Sequence, residues 1–110
     1  MSFELIATPE FSRSAKRLHK KFRLLYKDLE LLQAELERDP KAGVDLGGGC
    51  YKLRLPNSSV PTGKSGGFRA VYFFRDAKGV IYLLDIYTKT ELASISEERL
   101  LEILRANGLE

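Results

Sequence analysis

Hydrophobic and polar positions change period along this chain, and each change marks an element. Phe3, Leu5 and Ala7 sit at alternate positions around Glu4 and Ile6, the pattern of a short strand. Thr8 and Pro9 then read as a helix start: a capping side chain, followed by a residue whose missing N–H costs nothing in the first turn. Phe11, Ala15 and Leu18 recur at helical spacing, so a first helix is expected through Lys20. Phe22, Leu25, Leu29, Leu32 and Leu36 repeat at steps of three and four, predicting a second helix from about Phe22 to Arg38, stopped by Asp39 and Pro40.

A glycine-rich connection with Gly43, Gly47, Gly48 and Gly49 follows, and the period drops to two. Tyr51, Leu53 and Leu55 fall on one strand face, Lys52 and Arg54 on the other. Residues 56–67 (PNSSVPTGKSGG) read as a loop, Phe68 to Arg75 as an aromatic-rich strand and Asp76 to Gly79 as a tight turn. Val80 to Tyr87 is apolar on both faces apart from Asp85, as in the centre of a sheet. Ser94 with Glu97 has capping-box spacing, and Ser96 is the competing cap. Either opens a last helix through Leu100, Leu101 and Leu104 that Asn107 and Gly108 close.

The order β-α-α-β-β-β-α predicts an α+β fold: an antiparallel sheet of about four strands, a helical hairpin packed on one face and a short C-terminal helix. With helices gathered on one face, the other stays free for function. A length of 110 residues fits one domain, 1–110, and 44% hydrophobic residues supply a packed core rather than a disordered chain. No run of 18 apolar residues is present, so no membrane partner is expected. The opening residues, with Glu4, are too short and too acidic for a signal peptide, and one cysteine excludes a disulfide framework; a cytoplasmic location is expected.

A net charge of +3 says little until it is located. Residues 46–75 hold five basic groups and no acid, residues 10–27 hold seven basic groups against Glu10 alone, and residues 91–110 carry −3. In the first of these tracts the cations fall on predicted strands: Lys52 and Arg54 on one strand face, Arg69 opening the next strand, with Lys64 in the loop between them and Lys89 ending the last strand. Adjacent antiparallel strands can bring such positions to one edge of one face, and clustered like charges cost energy unless an anion neutralises them. Nucleic acid is the commonest polyanion, so these residues are candidate RNA contacts; the alternative is that they diverge into water. Lys20, Lys21 and Arg23 are further candidates, against an ordinary solvated helix face. Tyr87 either packs in the core or stacks a base beside Lys89.

Other chemistries lack their residues. Gly63, Lys64 and Ser65 look like the end of a phosphate-binding loop, but Ser58 stands where its first glycine belongs and a strand follows where a helix is required. One Cys (Cys50) and one His (His19) make no zinc site, the aspartates are scattered, and no metal or other cofactor is expected.

The segments CYKLRL (50–55), GKSGGFRAVYFF (63–74) and IYLLDIYTKTEL (81–92), with the opening FELIATPEFSRSAKRL, resemble the RelE/HigB toxins of bacterial type II toxin–antitoxin modules. The resemblance covers nearly the whole chain and implies the same order of elements. It also implies a metal-independent endoribonuclease that enters the ribosomal A site and cuts mRNA there by attack of the ribose 2′-OH, inhibiting translation. By position, Lys52 and Arg54 match the family's basic pair, Arg69 its phosphate-stabilising arginine, Lys89 the basic position after the last strand, and Lys64 the loop lysine of the HigB-like branch. A lysine crowded by other cations gives up its proton more readily, so Lys52 or Lys89 is the expected base, with Arg54 and Arg69 holding the phosphate. Thr88, Lys89, Thr90 and Glu91 stand where the family often has an arginine-rich run and a late tyrosine, which leaves the acid for the leaving oxygen open. The implied partners are a DNA-binding antitoxin, the ribosome and mRNA. Competing readings are a ParE-like gyrase poison acting by protein contact and a non-catalytic RNA- or antitoxin-binding module. The acidic last helix is an expected docking or regulatory element.

Overall fold

The computed structural model describes residues 3–61 and 67–110. Thr8 accepts the backbone N–H of Phe11 at 3.2 Å and caps α1 (Pro9–Lys21), whose face of Phe11, Ala15 and Leu18 is buried as the spacing predicts. The second helix, α2, spans Leu25–Arg38 and not Phe22–Arg38. The N–H of Phe22 donates to the Leu18 carbonyl at 2.8 Å, so Phe22 ends the first helix and the chain turns through Arg23 and Leu24 before helical bonding resumes. Of the two candidate caps for the last helix, Ser96 is the one used: its hydroxyl accepts the Arg99 N–H at 3.0 Å and opens α3 (Glu97–Ala106).

The class is α+β as expected, but the sheet differs from the expectation in two ways. It has five strands: β1 (Glu4–Ala7), β2 (Val44–Gly47), β3 (Cys50–Leu55), β4 (Phe68–Arg75) and β5 (Val80–Thr88), in the order β1-β5-β4-β3-β2. And it is mixed, because β1 runs parallel to β5, from Glu4 opposite Val80 to Ala7 opposite Leu83. A parallel partner requires a long crossover, and everything from α1 to β4 lies between these two strands. β2 hides in the glycine-rich connection because only four residues, all exposed, carry its pattern. Gly48 and Gly49, at φ of 62° and 87°, form the two-residue turn that folds it back onto β3; two consecutive positive values are a conformation that glycine adopts without steric cost.

Helices cover both faces, which corrects the expectation that one face stays free. On one side α1 and α2 close over Leu53, Leu55, Phe68, Ala70, Tyr72 and Ile86. On the other, Leu100, Ile103 and Leu104 of α3 and the following Leu109 pack against Cys50, Val71, Leu84 and Tyr87. The acidic tail is thus part of a second core. α3 is only 10 residues long, about 15 Å at 1.5 Å per residue, too short to roof the whole face.

One buried carboxylate joins the layers. Asp28, fully buried on α2, accepts the Ser58 backbone N–H at 2.9 Å and the Ser58 hydroxyl, tying the segment after β3 to the helical hairpin. Buried charge is tolerated when its oxygens are hydrogen-bonded in this way.

Candidate active site

β3 and β4 pair antiparallel so that Arg54 lies directly opposite Arg69, and Arg69 in turn lies opposite Tyr87 of β5. Lys52, two residues before Arg54, shares its face. Past β5, Lys89 comes round to the same place. Lys52, Arg54, Arg69 and Lys89 all line one cavity of about 450 Å³, walled also by Glu35 of α2, by the Ala42–Val44 connection and by Ala93. Directly opposed like charges on neighbouring strands are destabilising. Here they are retained on adjacent strands at the mouth of a cavity, an arrangement an anion would relieve.

The four cations are held differently. Arg69 is only 5% exposed, and among the described residues its guanidinium contacts the carbonyls of Gly67 and Phe68, at 3.4 Å each. The Lys52 ammonium donates to the Ser94 hydroxyl at 3.3 Å, so the serine that loses the competition to cap α3 steadies the lysine instead. Arg54 and Lys89 are exposed. The cavity wall is fixed by Tyr72, whose hydroxyl accepts the Gly43 N–H at 3.1 Å; burial pushes its phenol up to about 12, so it stays protonated.

Lys89 owes its place to a residue whose role the sequence reading left unassigned. Glu91 accepts the Thr88 N–H at 3.1 Å and pairs with Arg17 of α1 at 2.8 Å, while its own N–H donates to the Thr88 hydroxyl at 3.3 Å. These bonds form the turn that presents Lys89. Burial pushes the Glu91 carboxyl up, but the hydrogen bonds from Arg17 and Thr88 outweigh it and hold the group below 4.5. A depressed carboxyl contributes stability above its unfolded value that is lost as pH falls through the folded one. The advantage of wild type over Glu91→Gln in thermal unfolding is therefore expected to be full at neutral pH and to be lost as the pH falls through the lowered carboxyl value. A pH-independent difference would contradict it.

The remaining candidates lie elsewhere. Tyr87 is 2% exposed, with its hydroxyl accepting the Ile95 N–H at 3.2 Å; of its two readings, the structure places it in the core beneath α3, with no face offered to a base. Lys20, Lys21 and Arg23 gather at the α1–α2 turn and do not line this cavity: Lys20 and Arg23 border a hollow with His19, and Lys21 lies 5.3 Å over the Phe22 ring and borders another hollow with Thr88, Thr90 and Glu91. Lys64 lies outside the described residues. Cys50 is buried, and its thiol is pushed up to about 11 by burial and then by Asp45, so it is no nucleophile at neutral pH. Among the described residues, no three His, Cys, Asp or Glu side chains cluster as metal ligands.

A mixed five-stranded sheet clad by helices on both faces, with opposed arginines at a cavity mouth, defines a small α+β protein with a cationic cleft. Residues 8–107 match the family described as the RelE toxin of the RelE/RelB toxin–antitoxin system, and the chain belongs to that family.

Solved structures agree in fold. A double mutant of the Escherichia coli RelE toxin in the free state superposes with a TM-score of 0.64 at 19% identity, covering 96% of this chain and 98% of that one. A RelBE toxin–antitoxin complex from Mycobacterium tuberculosis gives 0.59 at 17% identity, covering 80% of this chain and 99% of its own. The intact E. coli RelBE complex gives 0.56 at 20%, covering 77% and 94%.

Proposed function

We propose that this protein is the toxin of a type II toxin–antitoxin pair and acts as a ribosome-dependent, metal-independent endoribonuclease on mRNA in the A site, in the cytoplasm. The observation that carries the reading is the convergence of Lys52, Arg54, Arg69 and Lys89 on one cavity. Family membership and the similarity to structures of RelE–RelB complexes support it and point to a cognate antitoxin as partner.

In this mechanism the phosphate flanking the cut lies between Arg54 and Arg69, whose planar forks bind its oxygens and stabilise the charge that builds in the pentavalent state. Lys52 or Lys89 takes the proton of the ribose 2′-OH. The oxygen attacks phosphorus, the bond to the 5′-oxygen breaks, that oxygen takes up a proton from water, and the products are a 2′,3′-cyclic phosphate and a 5′-hydroxyl. The Ser94 contact keeps Lys52 at the cavity.

The decisive experiment incubates one preparation with programmed ribosomes, with naked mRNA, and with gyrase and a relaxed plasmid. Cleavage confined to the ribosomal sample is expected. Inhibited supercoiling without cleavage would replace this reading with that of a gyrase poison, and no effect on any substrate would leave a binding module.

A further inference from the structure

The cationic cavity does not end at Arg54. β2 covers only the first part of β3: its last pairing on that side is Val44 with Lys52, so among the described residues the stretch Leu53–Leu55 has no strand beyond it. Around that open edge lies a second cavity of about 260 Å³ between α2 and the end of β3, lined by Leu31, Glu35, Arg38, Arg54 and Pro56 among others. Glu35 and Arg54 line both cavities, so the two join across them. The contributors from α2 are Leu31, Ala34, Glu35 and Arg38, at steps of three and four from Leu31 and from Ala34 to Arg38 and therefore on one stripe, about 10 Å long at 1.5 Å per residue.

The chemistry of this second cavity is mixed in a way that suits a nucleotide. Leu31 is half exposed with no partner layer over it, and with Pro56 it offers an apolar wall. Arg38 is 75% exposed and makes a loose ion pair, 3.9 Å, with Glu35. Glu35 is the one carboxylate among the residues lining the cationic cavity, at the point where the two spaces meet. A carboxylate there repels phosphate but accepts hydrogen bonds from a base carrying an amino group, as cytosine does and uracil does not.

Resting on the RNA-cleaving reading, we infer that the cavity between α2 and the open end of β3 seats the nucleotide flanking the cut, with Arg38 on its outer phosphate, Leu31 and Pro56 against the base, and Glu35 selecting an amino-bearing base. The cleaved phosphate stays between Arg54 and Arg69, and Arg54 is the hinge between the two positions. Glu35 and Arg38 are thus specificity and binding residues rather than parts of the bond-breaking set.

The test uses ribosomes programmed with mRNAs that differ only in the base, cytosine or uracil, at each position beside the cut. Wild type should favour cytosine at one of these positions about fivefold. Glu35→Gln should flatten that preference to less than about twofold, and Arg38→Ala should lower cleavage of every mRNA about tenfold without moving the preferred base. Arg38 is exposed and Glu35 partly so, and thermal unfolding checks that the variants fold. If wild type cuts the mRNAs and Glu35→Gln keeps the same base profile, the second site is overturned and the nuclease reading stands. If wild type cuts none of them, the nuclease reading falls, and this inference with it.

Discussion

Arg69→Ala should lower mRNA cleavage on ribosomes by on the order of 10³-fold while leaving the fold in place. The size follows from the role. A preorganised donor set aimed at a charge that appears only in the transition state contributes most to the chemical step, and Arg69 is both the most buried of the four cations and the one facing Arg54 across the β3–β4 ladder. Stability should hardly change, within about 1 kcal/mol, because the loss of the buried stem is offset by relief of the repulsion between the arginines. Among the described residues the guanidinium surrenders two contacts of 3.4 Å. Arg69→Lys keeps the charge and loses the fork, so it should fall between wild type and alanine. Cleavage rates and melting curves on the three proteins decide the matter; full activity in Arg69→Ala would remove the cavity from the mechanism.

Gly67→Ala is expected to have the largest effect on stability. A Cβ at Gly67 would lie 1.9 Å from the backbone carbonyl oxygen of Leu55, and no side chain can rotate away to relieve that clash. β3 and β4 would have to part where Leu55 pairs with Phe68, the fully buried end of the ladder that carries Arg54 and Arg69. Overpacking against backbone costs about 3 kcal/mol or more, a fall in melting temperature of roughly 10 °C or more for a domain of this size. Gly48→Ala is the control: its Cβ meets nothing within 4 Å, and only the positive φ of 62° is penalised, about 1 kcal/mol. Equal melting temperatures for the two variants would refute the clash.

Much of this architecture is legible in the sequence, for reasons that can be named. The faces of α1 and α2 are written in long apolar repeats, and β3, β4 and β5 are each six residues or more, so their patterns survive local noise. β2 is four exposed residues with one alternation, and no periodicity can announce it. That β1 pairs parallel with β5 is a long-range fact, decided by where the helices leave the chain and not by anything in Glu4–Ala7. The candidate site divides the same way. Lys52, Arg54 and Arg69 sit at strand positions whose side-chain direction follows from the period, and they converge as expected. Glu35 and Arg38 enter the neighbouring cavities through the packing of α2 against β3, which no local pattern encodes. Glu91 was visible only as a departure from a family pattern; its bonds to Thr88 and Arg17 give that departure a purpose.

The parallel pairing of β1 with β5 also sets the order in which the molecule can come into being. Glu4 waits for Val80, and Thr8 for the carbonyl of Leu83 at 2.8 Å, so a nascent chain emerging N-terminus first cannot close its sheet until β5 has been synthesised. Lys89 arrives later still. The complete set of cations therefore assembles only after Lys89 has been made, and a chain released before that point carries the earlier basic residues without the geometry that gathers them.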